Sequence, residues 1–438
     1  MVISNKLCMK IFLYVLISLT IIFPSGSVLG VNYKIFLILF CFLFLFLSLL
    51  TSKVPISVYL TLSIFPVFLS GYAFVALVNN VNVIDSISHS IAIFSLFCVI
   101  FLSIALIYLD NEVVDALKRL IVFSVAIYSI LKLLICFLIG ISFFSPNSVQ
   151  SILLHYFNFE FIGLDAGYFY RIHIPIDFLL PLVFLYVNQN GNKAFSPLIK
   201  NIVNVVVVFA ILISYSRLLY FIFFVVLLLL SFSFLKNKKI IKRTVYIFLG
   251  IIGLFFISYF AMDFFVERYS GKMADASDGP RIEMYTALVN IINLFPLLGK
   301  GLGASSDSLI RFADMPWYYE LQWLSFVAQF GVVGFSVILG LALFPVFMVL
   351  FRGLTYFSFS VLIIYFLWLG VGIFNGFMLT SSAGVIFLFF ILLLFNFNFD
   401  YHRTSASFNN RAGIAGVSMQ SFNNCVTMPS KSYLRLNL

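Results

Sequence analysis

Three polar residues of an otherwise apolar chain have the type and position that chemistry at a membrane surface needs: Arg217, Arg281 and Glu320. A guanidinium offers several donors in a fixed geometry, so an arginine held near a membrane is suited to bind an anion. A carboxylate beside it can accept or donate a proton. These residues predict an anion-binding site with an acid–base group. The alternative is that the arginines merely extend to the membrane interface and the carboxylate faces water.

Neighbouring residues add to this candidate site. Arg171, at the start of another apolar run, is a second candidate anion contact. Trp317, Tyr318 and Tyr319 directly precede Glu320. Aromatic side chains are typical of a membrane interface, and their flat faces also suit stacking on a sugar ring. They are therefore candidate substrate-binding residues.

The segment around Arg281 predicts a helix followed by a turn. Asp278-Gly279-Pro280 indicates a helix start, because proline fits the first helical turn. An anion there would meet both the guanidinium and the free backbone N–H groups. Pro296 is expected to end this helix. The glycines of the following Gly-Lys-Gly-Leu-Gly predict a tight turn with positive φ.

Lys300 in this turn does not make a nucleotide-binding loop. The phosphate-binding pattern needs a glycine where the chain has Leu294, and a Ser or Thr where it has Gly301. Five cysteines follow no ligand spacing, so we infer no disulfide framework and no metal site. No cofactor is expected.

Composition decides the fold class. The 438-residue chain is 63% hydrophobic and 10% charged, whereas soluble domains are roughly 45–50% apolar and about 25% charged. Its apolar runs are continuous rather than alternating, which indicates spanning helices and not strands. We predict an all-α, polytopic integral membrane protein with about twelve transmembrane helices, each needing about 20 residues. The predicted spans are residues 9–23, 35–50, 54–78, 88–109, 120–144, 172–188, 201–216, 218–235, 244–262, 322–350, 358–377 and 380–397.

Charge sets the orientation. With the N-terminus inside, 17 basic residues lie in cytoplasmic loops and tails and eight lie outside, which is the positive-inside bias. Both termini are therefore predicted to be cytoplasmic. The same distribution argues against a nucleic-acid partner despite a formal net charge of +10. The first span could alternatively be a signal peptide, with Lys6 and Lys10 as its basic region.

Eight of the sixteen acidic residues fall between Asp263 and Glu320. The predicted organisation is transmembrane helices 1–9 in residues 1–262, and one long structured periplasmic loop with a short helix in residues 263–320. Transmembrane helices 10–12 follow in residues 321–400, and a cytoplasmic tail in residues 401–438. A membrane protein that gathers its charge in one outer loop is expected to act there.

Three segments, in order, resemble the O-antigen polymerase/ligase superfamily, integral-membrane glycosyltransferases of the bacterial envelope. SYSRLLYFIFF is similar to that family's Ser-Arg element at the start of a span. PRIEMYTALVNIINLFPLLGKGLG is similar to its Arg-led helix ending in P-x-x-G-x-G-x-G. ELQWLSFVAQFGVVG resembles its H-N-x-x-L-x-x-x-x-E-x-G-x-x-G segment. Glu320 and Leu321 stand where a ligase has His and Asn, and Gln329 replaces the Glu, which favours a polymerase.

The resemblance implies an inner-membrane enzyme that joins undecaprenyl-diphosphate-linked oligosaccharide repeats at the periplasmic face. Arg217 and Arg281 would bind the diphosphate, Arg171 or Arg268 would assist, and Glu320 would deprotonate or orient the acceptor hydroxyl. Membrane lipid and a chain-length regulator protein are the implied partners. Three alternatives stay open at this point: a ligase that transfers finished glycan to lipid A-core, a flippase for the same lipid-linked oligosaccharide, and a structural membrane protein.

Overall fold

The computed structural model describes residues 5–24, 27–28, 31–51, 56–110, 112–157, 162–166, 169–189, 195–214, 216–235, 272–312, 315–373, 376 and 381–395. Residues Met1–Asn396 form one compact unit. The predicted span 244–262, Arg268 and the predicted cytoplasmic tail lie outside the described residues. The predicted domain boundaries therefore stay predictions.

The described chain is nearly all helical, as predicted. Its α-helices are α1 Asn5–Ile22, α2 Tyr33–Thr51, α3 Ile56–Val78, α4 Val83–Leu109, α5 Val113–Gly140, α6 Pro146–Phe157, α7 Leu179–Gln189, α8 Pro197–Ile213, α9 Arg217–Leu235, α10 Lys272–Leu294, α11 Gln322–Arg352, α12 Tyr356–Val371 and α13 Ser381–Leu394. A 3-10 turn, Pro175–Phe178, leads into α7. Two short antiparallel hairpins depart from the all-α prediction: β1 Ser27–Val28 with β2 Val31–Asn32, and β3 Ile162–Ala166 with β4 Phe169–His173.

Each predicted span except residues 244–262 overlaps one of these helices, although the span 172–188 begins in β4 and the 3-10 turn before α7. Five helices of the described chain are long and apolar enough to cross a membrane, namely α1, α2, α4, α5 and α11. Others are shorter, such as the 14-residue α13. The count of twelve crossings and the side of each loop stay predictions.

The core of the unit lies between α1, α4, α5 and α13. Met9, Leu13 and Ile17 of α1 are completely buried, and α1 packs on α2, α4, α5 and α13. Large apolar side chains also face outward along many helices, for example Val67 on α3 at 69% exposure and Phe351 on α11 at 86%. Apolar surface of this kind is expected where the solvent is lipid.

Candidate functional site

The helix that carries Arg281 begins earlier than predicted. α10 starts at Lys272, so Pro280 and Arg281 lie in its interior and not at its N-terminus. Proline removes a single backbone donor, and the preceding Lys-Met-Ala segment favours helix. Free N–H groups of a helix N-terminus therefore do not lie beside Arg281. The predicted end of the helix near Pro296 is correct, since α10 ends at Leu294.

α10 is fixed by a buried face of helical spacing. Met284, Leu288 and Ile291 recur at four and three residues and are almost fully buried. They pack against Tyr319 and against Ala328 of α11. This contact places the second half of α10 beside the segment that leads into α11.

Arg281 and Glu320 meet at this contact, together with an arginine that the sequence analysis did not select. The Nε atom of Arg281 lies 3.5 Å from Oε2 of Glu320. Nη2 of Arg311 donates to Oε1 of Glu320 at 2.8 Å. The three side chains are 25–31% exposed, so a solute can reach them. Two guanidiniums on one carboxylate make a site that a bound anion can enter by replacing that carboxylate.

Arg311 could have been found from the sequence only as a charge in the same loop. It lies nine residues before Glu320, and no helical spacing links the two. The chain between them is organised by Tyr319, whose hydroxyl donates to the Leu309 carbonyl and accepts from the Ser306 N–H. These two bonds fold the loop back so that Arg311 returns to Glu320.

The glycine-rich turn has the predicted positive φ. Gly299, Gly301 and Gly303 have φ of 71°, 106° and 77°. A Cβ on Gly301 would lie 2.4 Å from the Ala76 backbone of α3, and one on Gly303 would lie 2.4 Å from the Ser86 backbone of α4. Only glycine fits the turn at these positions, because the backbones of two helices touch it.

The turn docks on a break in α11. Gly331 has φ 62° and ψ −175°, so the helix is interrupted there. The carbonyls of Ala328 and Gln329 are left free by this interruption, and they accept from the N–H groups of Lys300 and Gly301 at 2.9 Å.

Backbone hydrogen bonds also run in the opposite direction, from α11 to the segment before the turn. Val332 and Val333, just after the break in α11, donate their N–H groups to Pro296 and Leu297. The two glycine-containing motifs of the sequence are thus the two halves of one backbone contact.

Gln329 supports the same contact from inside. Its Nε2 donates to the Trp317 carbonyl at 3.1 Å and to the Ala304 carbonyl at 3.3 Å, and its side chain is buried. A carboxylate here would face two carbonyl oxygens with no proton to donate. This is a physical reason for glutamine at the position where the motif that the segment resembles has glutamate.

The three aromatic residues before Glu320 differ in exposure. Trp317 is 4% exposed and stacks on the His89 ring of α4, with centroids 4.2 Å apart. Tyr319 is 1% exposed. Tyr318 keeps intermediate exposure. Burial, and after it the negative charge of Glu320, raises the pKa of Tyr318 to about 12, so its hydroxyl stays protonated at neutral pH.

The remaining predicted residues are placed by their backbone. Arg217 is the first residue of α9, and Arg171 pairs with Leu164 across the β3–β4 hairpin. The structure describes neither side chain, so their contact with the Arg281–Glu320 pair stays a prediction. Among the described residues, no group of three or more His, Cys, Asp and Glu side chains could hold a metal ion.

Lys132, for which the sequence offers no obvious partner, is paired. Its Nζ lies 2.8 Å from Oδ1 of Asp177, and both side chains are fully buried.

Comparison with known families gives one match: residues 202–339 match the O-antigen ligase family. The segment runs from α8 into α11 and contains Arg217, Arg281, the glycine-rich turn and Glu320. It is less than half of the 438-residue chain. No curated protein and no solved structure matches.

Members of that family are membrane glycosyltransferase-type enzymes, polymerases or ligases that act on lipid-linked glycans, and together with the apolar helices the match points to a bacterial membrane protein. Over residues 202–339 the chain is similar to the O-antigen ligase family, and the predicted resemblance to the O-antigen polymerase/ligase superfamily is confirmed.

Proposed function

We propose that this protein polymerises undecaprenyl-diphosphate-linked oligosaccharide repeats into O-antigen or capsular polysaccharide at the periplasmic face of the inner membrane. The observation that carries the proposal is the convergence of Arg281 and Arg311 on Glu320. Two cations and one carboxylate are the groups that a transfer from a lipid diphosphate requires. The proposal includes cytoplasmic termini, as the charge bias predicts, and a chain-length regulator as the protein partner.

The reaction uses the energy of the glycosyl-diphosphate bond. A hydroxyl oxygen of one lipid-linked repeat attacks the anomeric carbon of the chain on another lipid. A new glycosidic C–O bond forms as the C–O bond to the diphosphate breaks, and undecaprenyl diphosphate leaves with the electron pair. Glu320 takes the proton of the attacking hydroxyl. No nucleotide is needed.

The arginines serve the leaving group. When the diphosphate binds, it competes with Glu320 for the guanidiniums of Arg281 and Arg311. The carboxylate is then released beside the acceptor, where it can accept a proton. Arg217 is proposed to hold the same diphosphate, with help from Arg171 or Arg268. Positive charge aimed at a developing anion lowers the barrier, because it stabilises the transition state more than the ground state.

The choice of a polymerase over a ligase rests on two residues that depart from the ligase pattern. Glu320 and Leu321 occupy the positions where the ligase pattern has His and Asn. A ligase that transfers the glycan to lipid A-core is the second candidate, because the matching family is described as O-antigen ligase.

A flippase would require charge that lines a central cavity. Lys132 and Asp177 are instead 3% and 0% exposed and bonded to each other, which favours chemistry at the loop over transport through the helices.

A gel of surface polysaccharide from the parent strain, a deletion strain and the complemented deletion tests the proposal. A polymerase deletion leaves core that carries a single repeat, and complementation restores the ladder. Bare core overturns the polymerase assignment. The undecaprenyl-linked pool then separates the other two candidates, since a missing ligase accumulates long chains and a missing flippase accumulates single repeats.

A further inference from the structure

A second polar cluster lies buried between the helices, away from Glu320 in sequence. We call it the Asp177 cluster, and it consists of Tyr128, Lys132, His173, Asp177 and Ser214. Oδ1 of Asp177 accepts from the Tyr128 hydroxyl at 2.6 Å and from Lys132 Nζ at 2.8 Å. Oδ2 lies 3.0 Å from His173 Nδ1 and accepts from the Ile174 N–H at 3.0 Å.

Ser214 joins the cluster through the same lysine. Its Oγ accepts from Lys132 Nζ at 2.6 Å and lies 3.4 Å from Oδ2 of Asp177. All five side chains are at most 5% exposed. The carboxylate therefore has several donors in fixed directions, which is the condition under which a buried charge holds a single geometry.

The members come from four separate elements. Tyr128 and Lys132 belong to α5, His173 is the last residue of β4, Asp177 lies in the 3-10 turn, and Ser214 follows the last residue of α8. Lys132 is eight residues before the end of α5 at Gly140, roughly 12 Å at 1.5 Å per residue. The cluster therefore holds the ends of β4 and α8 against the same part of α5, close to Lys132.

Those two ends carry the predicted anion contacts. Arg171 is two residues before His173 on β4. Arg217 is three residues after Ser214 and begins α9. Burying an ion pair often contributes less stability than apolar packing of the same volume, because desolvation offsets the attraction. The buried Lys132–Asp177 pair is therefore expected to contribute more to the positions of these two ends than to the free energy of unfolding.

We infer that the Asp177 cluster is a positioning device that sets the Arg171 and Arg217 segments for one lipid diphosphate. This inference rests on the proposed function, because it takes these arginines as diphosphate ligands. Lys132 and Asp177 act through the backbone of β4 and of the α8–α9 junction, and they do not touch the substrate.

Binding of undecaprenyl diphosphate to the purified full-length protein in detergent tests this inference. The double variant Lys132→Met, Asp177→Asn removes both charges without leaving one unpaired. Its melting temperature is expected to stay near that of the unsubstituted protein. Its Kd for the lipid diphosphate is expected to rise about tenfold or more, the equivalent of one misplaced charge-assisted hydrogen bond.

The matched control removes another polar link that involves α8. Asn188 of α7 and Asn204 of α8 bond each other through their amides at 3.0 and 3.2 Å. The control double variant Asn188→Leu, Asn204→Leu is expected to bind the lipid diphosphate with unchanged Kd, because neither residue adjoins Arg171 or Arg217. A tenfold loss in this control would overturn the positioning role.

Milder variants keep the test decisive if the double variant does not fold. Ser214→Ala removes the hydroxyl that bonds Lys132 at the α8–α9 junction and is expected to weaken binding, whereas Ser214→Thr keeps a hydroxyl and is expected to restore it. Unchanged Kd in folded Ser214→Ala, or in the folded double variant, overturns the inference and leaves the proposed function intact. An unsubstituted protein that does not bind the lipid diphosphate overturns the proposed function itself.

Discussion

Arg281 and Arg311 both contact the Glu320 carboxylate. This arrangement predicts how strongly each single substitution at the site reduces polymerisation. Arg281→Ala and Arg217→Ala are expected to abolish long chains while the protein stays in the membrane. Arg311→Ala is expected only to reduce chain length, because Arg217 and Arg281 remain to bind the diphosphate. The measurements are the polysaccharide ladder and the amount of protein in the membrane fraction.

Glu320→Gln separates proton transfer from binding. The amide keeps the size of the side chain but cannot take up a proton, so polymerisation should be lost if Glu320 is the base. Lys118→Ala is the matched control, because it removes a cation that pairs with Asp115 on α5, 3.5 Å away. A normal ladder from Glu320→Gln would remove the base role, and normal ladders from both Arg217→Ala and Arg281→Ala would refute the site.

Gln329 shows how a departure from a family pattern can follow from packing. Gln329→Glu leaves the carbonyls of Ala304 and Trp317 without their donor. The expected cost is about 1–3 kcal/mol of unfolding free energy, the usual penalty for unpaired buried polar groups. Thermal unfolding in detergent measures it. Ser336→Ala, which removes an exposed hydroxyl bonded only within α11 at Val332, should leave the melting temperature unchanged.

The raised pKa of Tyr318 predicts that the protein becomes less stable at alkaline pH. Its pKa is raised from 10.0 to about 12, first by burial and then by the charge of Glu320. Between these values the folded protein keeps a proton that the unfolded chain releases, so the free energy of unfolding falls as pH rises from 10 to 12. Tyr318→Phe should show a smaller fall in melting temperature over this range. Tyr285→Phe, at a 57% exposed tyrosine, is the control. Equal falls in both variants would contradict the assignment.

At the scale of elements, the contact between the glycine-rich turn and the break in α11 is the joint that brings α10 to Glu320. Gly301→Ala is expected to disrupt this joint, because its Cβ would lie 2.4 Å from the Ala76 backbone and its φ is 106°. The strain of a left-handed residue alone costs about 1–2 kcal/mol, and the clash adds to it. Membrane level and melting temperature should both fall.

Gly340→Ala is the control for this joint. Gly340 lies in α11 as well, and an added Cβ there meets nothing within 4 Å. Alanine favours helix over glycine by about 1 kcal/mol, so this variant should be neutral or slightly stabilised. A Gly301→Ala protein as stable as Gly340→Ala would show that the turn does not depend on the α3 contact.

These elements differ in how far the sequence predicts them. Apolar runs of about 20 residues leave a helix as the only way to satisfy the backbone in lipid, so the helices follow from local pattern. The positive φ of Gly301 follows as well, because glycine spacing is local. The predicted start of α10 was wrong by several residues, since the helix begins at Lys272 and tolerates Pro280 in its interior.

Contacts between distant residues could not be predicted in this way. Lys132 and Asp177 are 45 residues apart on different elements, and the two residues alone give no signal that they meet. Arg311 reaches Glu320 only because Tyr319 folds the intervening loop. The β3–β4 hairpin was also missed, since its strands are only five residues long and β4 runs into the predicted span 172–188.

At the scale of the whole molecule, one fixed orientation in the membrane would explain why the charged residues are distributed so unevenly along the chain. The charge bias of the loops predicts that the segment with Arg281, Arg311 and Glu320 lies at the periplasmic face. A lipid diphosphate presented at that face can reach the site without crossing the apolar helices. The proposed chemistry therefore depends on the side of the membrane that this segment faces, which can be measured directly.

Cysteine labelling with a membrane-impermeant maleimide tests this orientation. Asp307, in the turn after α10, and Asp115, at the start of α5, have side chains that are 100% and 80% exposed. Both accept a cysteine without disturbing the core, and Cys41, Cys98 and Cys136 of the native chain are buried. Asp307→Cys should label in intact spheroplasts, and Asp115→Cys only after lysis, each above the background of the unsubstituted protein. The opposite labelling pattern would place the Arg281–Glu320 site on the cytoplasmic side. That result would contradict a polymerase that acts in the periplasm.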